Sequence, residues 1–279
     1  MIWKLTLITA LSLFVIVASG SESNAGQAPD PWADTVVDFV QGDPNIGAFG
    51  DPAAALGEPD FSVDPLGGFV SLGFEGQLTL GFDEPILNGP GDDLTIFGDT
   101  SADDNILLEI SDDGITYVMI PGEVNEHLTS VDIEDFPPLV KINFVRITSL
   151  AVGNGAEIDA VGAALNDFDG DGCFNYQEQG ADQTFGGLRD PENIWDFFDP
   201  NQDGSVTLLD FFAILQRFGA VGDAGIDPLS EPPDPPAYHT RFDRGAVTGP
   251  NPWNLGPPNG AISVTDFFSL LVQFGHTCG

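Results

Sequence analysis

Positive charge is what this chain has least of. Seven Lys and Arg stand against 44 Asp and Glu in 279 residues, a formal net charge of −37. A nucleic-acid partner needs a basic footprint, because phosphate contacts dominate that affinity; none can be built here. An anionic membrane surface repels the chain for the same reason. Histidine is almost as scarce. His127, His239 and His276 form no His-Glu-x-x-His and no paired metal spacing, and each is expected on the surface. No G-x-S-x-G elbow and no P-loop occurs. Acid pairs are too plentiful to mark a glycosidase, and Asp103/Asp104 and Asp112/Asp113 read as turn residues. The expectation is a protein that is not an enzyme.

Long apolar runs are also missing, with one exception. Lys4 precedes a run from Leu5 to Ala18, followed by Ser23-Asn24-Ala25 and Gly26-Gln27-Ala28. This is the pattern of a secretory leader. Residues 1–25 are read as a signal peptide, with cleavage after Ala25 or Ala28. The run is short for a membrane span, which needs about 20 apolar residues, so no integral span is expected after cleavage. The mature protein is expected to be secreted and extracellular, or held at a cell surface. Cysteine occurs twice, as Cys173 and Cys278. In an oxidising compartment this even pair predicts a disulfide; two separate thiols are the alternative.

What the chain does have is core and turns. Hydrophobic residues make up 42%, and Gly (34) and Pro (22) are frequent, which suits short strands between turns. Within residues 29–165, strands are read at Gly68–Gly73, Gln77–Phe82, Leu94–Phe97, Leu107–Ser111, Thr116–Ile120 and Asn143–Thr148. Asp113-Gly114 between apolar runs is a hairpin turn. The pattern predicts an all-β sandwich. Ala55-Leu56-Gly57-Glu58-Pro59-Asp60, Ser111-Asp112-Asp113-Gly114-Ile115-Thr116-Tyr117 and Phe144-Val145-Arg146-Ile147 with Ile158-Asp159-Ala160-Val161 resemble the discoidin-type (galactose-binding-like) jelly rolls. That resemblance implies a carbohydrate ligand, a polysaccharide included. The segment holds one Trp (Trp32) and one Tyr (Tyr117) for stacking on sugars.

Residues 166–279 change character. Asp167, Asp169, Asp171 and Glu178 fall at positions 1, 3, 5 and 12 of a loop with Gly172 at position 6. Ca²⁺ is a hard cation that takes six to eight oxygens. Alternate residues of a curled loop aim oxygens inward, glycine permits the bend, and the last acid closes the cage. Cys173 at position 7 offers its carbonyl, and Asn175 at position 9 binds directly or through water. A second loop places Asp199, Asn201, Asp203, Ser205, Thr207 and Asp210 at the corresponding ligand positions around Gly204. An apolar helix with Phe211, Ile214, Leu215 and Phe218 follows and stops at Gly219.

Asp210–Gly219 matches Asp266–Gly275 at six of ten positions, the mark of a duplicated unit. The third loop is degenerate: in strict register only Asn259 and Asp266 remain, and Asn254 is read as supplying position 1, with Asp243 a weaker candidate. Phe174, Val206 and Ile262, at position 8 of each loop, are expected to pair across loops. Trp195, Phe197 and Phe198 are read as core. This D-x-N-x-D-G-x-V-T-x-x-D-F-F pattern resembles dockerin repeats. The resemblance implies calcium-dependent folding and a cohesin-like protein as partner. A Pro-rich insert at 227–236 separates the repeats.

The expected architecture is thus mainly β with a small α module: a β-sandwich (29–165) followed by EF-hand/dockerin-like loop–helix repeats (166–279). The expected function is calcium binding for adhesion or complex assembly. The alternative is a carbohydrate-binding jelly roll on a calcium-stabilised module, or a part of a polysaccharide-degrading system. The loops do not explain the charge, because 29–165 alone holds 26 acids against Lys141 and Arg146. A saline setting or further divalent sites would account for it.

Overall fold

The computed structural model describes residues 30–44, 47–60, 68–98, 105–121, 124–125, 128–135 and 139–278. The leader-like segment, Asp103/Asp104 and His127 lie outside the described residues. Among the described residues ten strands form: β1 (Thr35–Val40), β2 (Val70–Ser71), β3 (Gln77–Leu87), β4 (Leu94–Gly98), β5 (Asn105–Ser111), β6 (Val118–Met119), β7 (Val124–Asn125), β8 (Leu128–Val131), β9 (Lys141–Ser149) and β10 (Glu157–Ala163). One sheet runs β1-β3-β9-β5-β6, with β7 also on β5; the other runs β2-β10-β4-β8. All pairs are antiparallel.

Period-two patterning builds the core between the sheets. Leu78 and Leu80 of β3, Ile106, Leu108 and Ile110 of β5, and Val145 and Ile147 of β9 point inward. They meet Leu94 and Ile96 of β4 and Ile158 and Val161 of β10 in one buried cluster. The expected β-sandwich is therefore present. The Asp113-Gly114 turn joins β5 to β6, with Ile110 opposite Val118. Asp113 Oδ1 accepts from the Ile115 and Thr116 amides at 2.8 and 2.7 Å. These bonds hold its carboxyl below the usual range. Two strands are shorter than the sequence pattern implies: β2 keeps two residues of Gly68–Gly73, and β6 two of Thr116–Ile120.

A second core lies C-terminal to the first. Phe197, Phe198, Val206, Ile214, Phe242, Ile262 and Leu270 cluster around the Cys173–Cys278 disulfide, whose partners are 105 residues apart. Among the described residues two helices serve it, α2 (Leu208–Leu215) and α3 (Val264–Val272), while the short α1 (Asn175–Glu178) packs its Tyr176 against the sandwich core. Both longer helices start two residues earlier than the apolar pattern implied, because Thr207 and Ser263 cap them. Phe211 of α2 meets Phe267 of α3 at 4.7 Å between ring centroids. The position-8 residues do not pair with one another as expected. Val206 exchanges hydrogen bonds with Gly275 and His276 after α3, and Ile262 with Gly219 and Ala220 after α2. Each loop is thus clasped by the exit of the other repeat's helix. Among the described residues, no helix is long and apolar enough to cross a membrane.

Gly162 of β10 shows how tightly the sandwich closes. Trp32 bridges to it, and a Cβ there would lie 2.4 Å from Trp32 Cε3 and 2.7 Å from the Pro31 carbonyl oxygen. Gly162→Ala should cost the sandwich about 1–3 kcal/mol in urea unfolding. An unchanged midpoint would show that Trp32 is not seated on β10.

Candidate metal centres

The first two loops fold by one hydrogen-bond scheme. In the first, Gly170 and Gly172 N–H donate to Asp167 at 2.8 and 3.1 Å. In the second, Gln202 and Gly204 N–H donate to Asp199 at 2.9 and 2.7 Å. The position-5 amide donates to position 3, and the position-7 amide to position 5, in both loops. Gly172 and Gly204 hold φ values of +100° and +79°, which a side chain would strain. The loops are neighbours: Gly170, Asp171 and Gly172 face Asp199, Gln202 and Gly204 across a small cleft.

The two loops end differently. In the second, Thr207 caps α2 and Asp210 is the third helical residue. Asp210 therefore spends one oxygen on the Thr207 amide and the other on the Asn201 amide, at 2.7 and 3.2 Å. Its carboxylate, with those of Asp199 and Asp203, still presents oxygens within 4.8 Å of one another. In the first loop the helix starts one position earlier. Phe174 holds the N-cap position without a side-chain cap bond, and Gln177, not Glu178, accepts from the Phe174 amide at 3.2 Å. Glu178 is left with both oxygens buried and without a hydrogen-bond partner.

Asp167, Asp169 and Asp171 form one cluster within 4.8 Å, and Asp171, Glu178 and Asp196 another. Asp169 Oδ2 and Asp196 Oδ1 are also buried and unpartnered. Burial first, then adjacent carboxylates, raise Asp169 to about 8 and Glu178 to about 10. Burial likewise lifts Asp196 to about 8, Asp171 to about 6 and Asp199 to about 7. Asp196 lies outside the twelve-residue grammar, and sequence reading missed it. Asn175, expected as a ligand, is turned away: its Nδ2 donates to the Pro90 carbonyl and its Oδ1 accepts from the Phe168 amide, both at 3.0 Å. It fastens the first loop to the sandwich.

The third loop also departs from its expected ligand set. Asp243 makes the position-1 contacts assigned to Asn254, accepting from Asn259 and Gly260 N–H at 3.2 and 2.7 Å. Asp266 accepts from the Arg244 and Ser263 amides, each at 2.7 Å. From Asp243 to Asp266 the loop spans 24 residues, where Asp199 to Asp210 spans 12. The added segment carries Asn254 into a turn whose carbonyl accepts from Thr248 N–H. Tyr238 Oη also donates to Asp243, at 2.8 Å, and burial raises Asp266.

The remaining expectations fare unevenly. His239 and His276 are buried, not on the surface. His276 Nδ1 lies 3.0 Å from an Arg189 nitrogen, and burial with that charge pushes it down to about 4. His239 Nε2 lies 3.0 Å from Ser230 Oγ. Its Nδ1 accepts from the Arg241 amide, so Nε2 carries the proton and donates to Ser230. That tautomer cannot serve as base to the serine. Phe197 and Phe198 are core as expected. Leu209, Phe212 and Phe218 beside α2, and Phe268, Leu271 and Phe274 beside α3, stay largely exposed.

No family model matches the chain, and no curated protein matches it. Similar solved structures include CpGH89CBM32-5 from Clostridium perfringens, in complex with GalNAc-β-1,3-galactose, at 16% identity and TM-score 0.30, covering 46% of this chain and 91% of that one. CpGH89CBM32-6 produced by Clostridium perfringens follows at 18% identity and TM-score 0.26, covering 34% and 73%. The family 32 CBM from C. perfringens NanJ, in complex with galactose, matches at 15% identity and TM-score 0.25, covering 33% and 67%. Likeness at this level transfers neither residue nor ligand.

The raised carboxylates fix a sign. With folded values above the ordinary 4 or so, the metal-stripped folded protein holds more protons than the unfolded chain between about pH 4 and the value near 10 of Glu178. Its stability is then full at the acid end and lost as pH rises through that window. The C-terminal melting transition of metal-stripped protein should therefore fall from pH 5 to pH 8. A rise over that range would show that the clusters do not hold protons in place of a cation.

Proposed function

We propose that this chain is a secreted, non-catalytic calcium-binding protein whose dockerin-like module serves extracellular adhesion or complex assembly. The observation that carries the reading is the set of buried carboxylate oxygens left without partners in and beside the first loop, on Asp169 and Glu178 of the loop and on Asp196 next to it. Buried charge is costly unless paired or bound to a metal. Hard oxygen donors in this number suit Ca²⁺ better than the softer transition metals. The second loop supports the reading by repeating the first loop's hydrogen bonds around Asp199, Asn201 and Asp203. Asp243 and Asp266, with Asn259, are the donors of a third site. Export accords with the leader-like residues 1–25 and with the disulfide.

In this reading the cation neutralises each loop and fixes the start of α2 and α3. The helices then present their outer apolar faces, led by Phe212 and Phe268 at 52% and 64% exposure. A cohesin-like protein or a cell-surface component is the proposed occupant. A second reading gives the binding role to the sandwich, as a carbohydrate-binding jelly roll. It accords with the kind of module found among the similar solved structures. Trp32 is buried and Arg146 covers one face of Tyr117 at 3.5 Å, so stacking on a sugar would fall to other side chains. Binding of galactose by the full chain, unchanged by metal stripping, would favour this second reading.

Calorimetric titration of Ca²⁺ into metal-stripped protein at pH 7 tests the main one. Two or three ions should bind, and the C-terminal melting transition should rise while the sandwich transition stays in place. At 1,000 times Kd the gain should be about 4 kcal/mol per site. Absence of both heat and shift would sink it.

A further inference from the structure

Asp196 is a carboxylate with no place in any loop. It sits on the segment leading into the second loop, yet it faces the first. We propose that Asp196 is a ligand of the cation held by the first loop, and that it thereby couples that site to the second. The proposal rests on the calcium reading above and adds a donor that the loop itself does not contain.

Four observations carry it. Asp196 is fully buried and its Oδ1 has no hydrogen-bond partner. It presents an oxygen within 4.8 Å of those of Asp171 and Glu178, and Glu178 is itself fully buried with both oxygens unpartnered. The two buried arginines nearby do not relieve this charge by contact. Arg189 spends its guanidinium on the Asp196 and Gln183 carbonyls and on His276 Nδ1. Arg244 spends its own on the carbonyls of Trp195, Phe197, Thr240, Arg241 and Asp243. Among the described residues, the side-chain ion pairs are Lys141–Asp112 and Arg146–Glu109, both on the sandwich. Five carboxylates therefore converge with two guanidinium groups close by, and a single divalent cation leaves one net negative charge.

The coupling follows from the chain. Asp199, position 1 of the second loop, lies three residues beyond Asp196. Phe197 and Phe198 between them are buried, and their amides are fixed: Phe197 N–H on Asp171 Oδ2 at 3.1 Å and Phe198 N–H on Gln273 Oε1 at 2.8 Å. Gln273 in turn donates to the Asp196 carbonyl at 2.6 Å. An ion that draws in Asp196 sets this short rigid segment and places Asp199 for its own ion.

The test is a Ca²⁺ titration of the full chain and of Asp196→Asn, with Glu192→Gln as a control that removes an exposed acid from the same segment. Wild type should bind two or more ions with positive cooperativity. D196N keeps the acceptor for the Asp190 amide but should bind one ion at least about tenfold more weakly and lose the cooperativity. E192Q should bind like wild type. In metal-stripped protein at pH 8, D196N should melt no lower than wild type, because it removes buried repulsion; a merely structural role would lower that melt. D196N binding Ca²⁺ like wild type would overturn the inference and leave the calcium reading standing. Wild type failing to bind would overturn both. Should D196N not fold at any calcium level, Tb³⁺ on the wild-type chain decides. Tryptophan-excited Tb³⁺ emission that is lost in Trp195→Phe supports the placement of this segment at the ion, and emission unchanged in W195F overturns it.

Discussion

Like charge held out of water is the constraint on which the C-terminal half depends. Each pair of carboxylates at the observed separation costs on the order of 3 kcal/mol at an effective dielectric of about 20. Asp171 stands in two such clusters, so its neighbours on both sides must be neutralised together. The loop hydrogen bonds supply part of the answer, since backbone amides point at Asp167, Asp169 and Asp171. They do not reach Glu178, and they leave one oxygen each of Asp169 and Asp196 unmet. Protons alone answer poorly, because a protonated carboxyl still needs an acceptor within hydrogen-bond reach and both Glu178 oxygens stand without one.

A one-residue difference in helix register separates a loop whose last acid is spent from one whose last acid is free. Where Thr207 caps α2, Asp210 doubles as a capping-box residue and is held by two amides. Where Phe174 stands at the N-cap of α1, Gln177 accepts from its amide and Glu178 keeps both oxygens without a hydrogen-bond partner. The helix start therefore decides what a carboxylate can do, and the length of Glu suits the freed role as the shortness of Asp suits the shared one. The reciprocal clasp of Val206 and Ile262 then locks the repeats together. The segment after α3 continues past it, through the Ser205–Thr277 bridge and the Cys278 amide on Gly204, to the disulfide with Cys173. First loop, second loop and chain end are joined in a line.

Features built from adjacent residues were legible in the sequence. The alternation in β3, β5 and β9, the Asp113-Gly114 turn, the two helices and the loop spacings at 167–178 and 199–210 each depend on neighbours within about a dozen positions. What escaped was built from chain distance. Asp196 reaches the first loop only because Phe197 and Phe198 fold inward. Asp243, named from sequence only as the weaker candidate, reaches the third because a long insertion is looped out between it and Asn259, so counting back from Asp266 ranked Asn254 ahead of it. The segment Tyr238 to Arg244 holds Asp243 between Phe242 and Arg244, with Arg241, Thr240 and His239 before them, but nothing in spacing marks it. His276 misled for a related reason, since its partner Arg189 lies 87 residues away; His239 is buried beside near neighbours, Ser230 and the Arg241 amide, whose contact no spacing rule marks. Asn175 fits the ligand grammar, yet the sandwich sits close enough to claim its side chain.

The acidity of the sandwich is a separate matter from the loops. Among the described residues, the groups of three or more acids close enough to share an ion all lie between 167 and 210. Among the described residues most of the sandwich's acids are exposed, with Asp93 and Asp159 buried, and Lys141 and Arg146 are paired with Asp112 and Glu109. A field of one sign repels polyanions at long range and is screened within about 8–10 Å at physiological salt. An acidic polysaccharide is thus a poor ligand for this surface, and a neutral glycan or a cationic partner meets no such barrier. The same field keeps two copies of the chain apart. An apolar helix face can then stay exposed until a partner of different charge covers it.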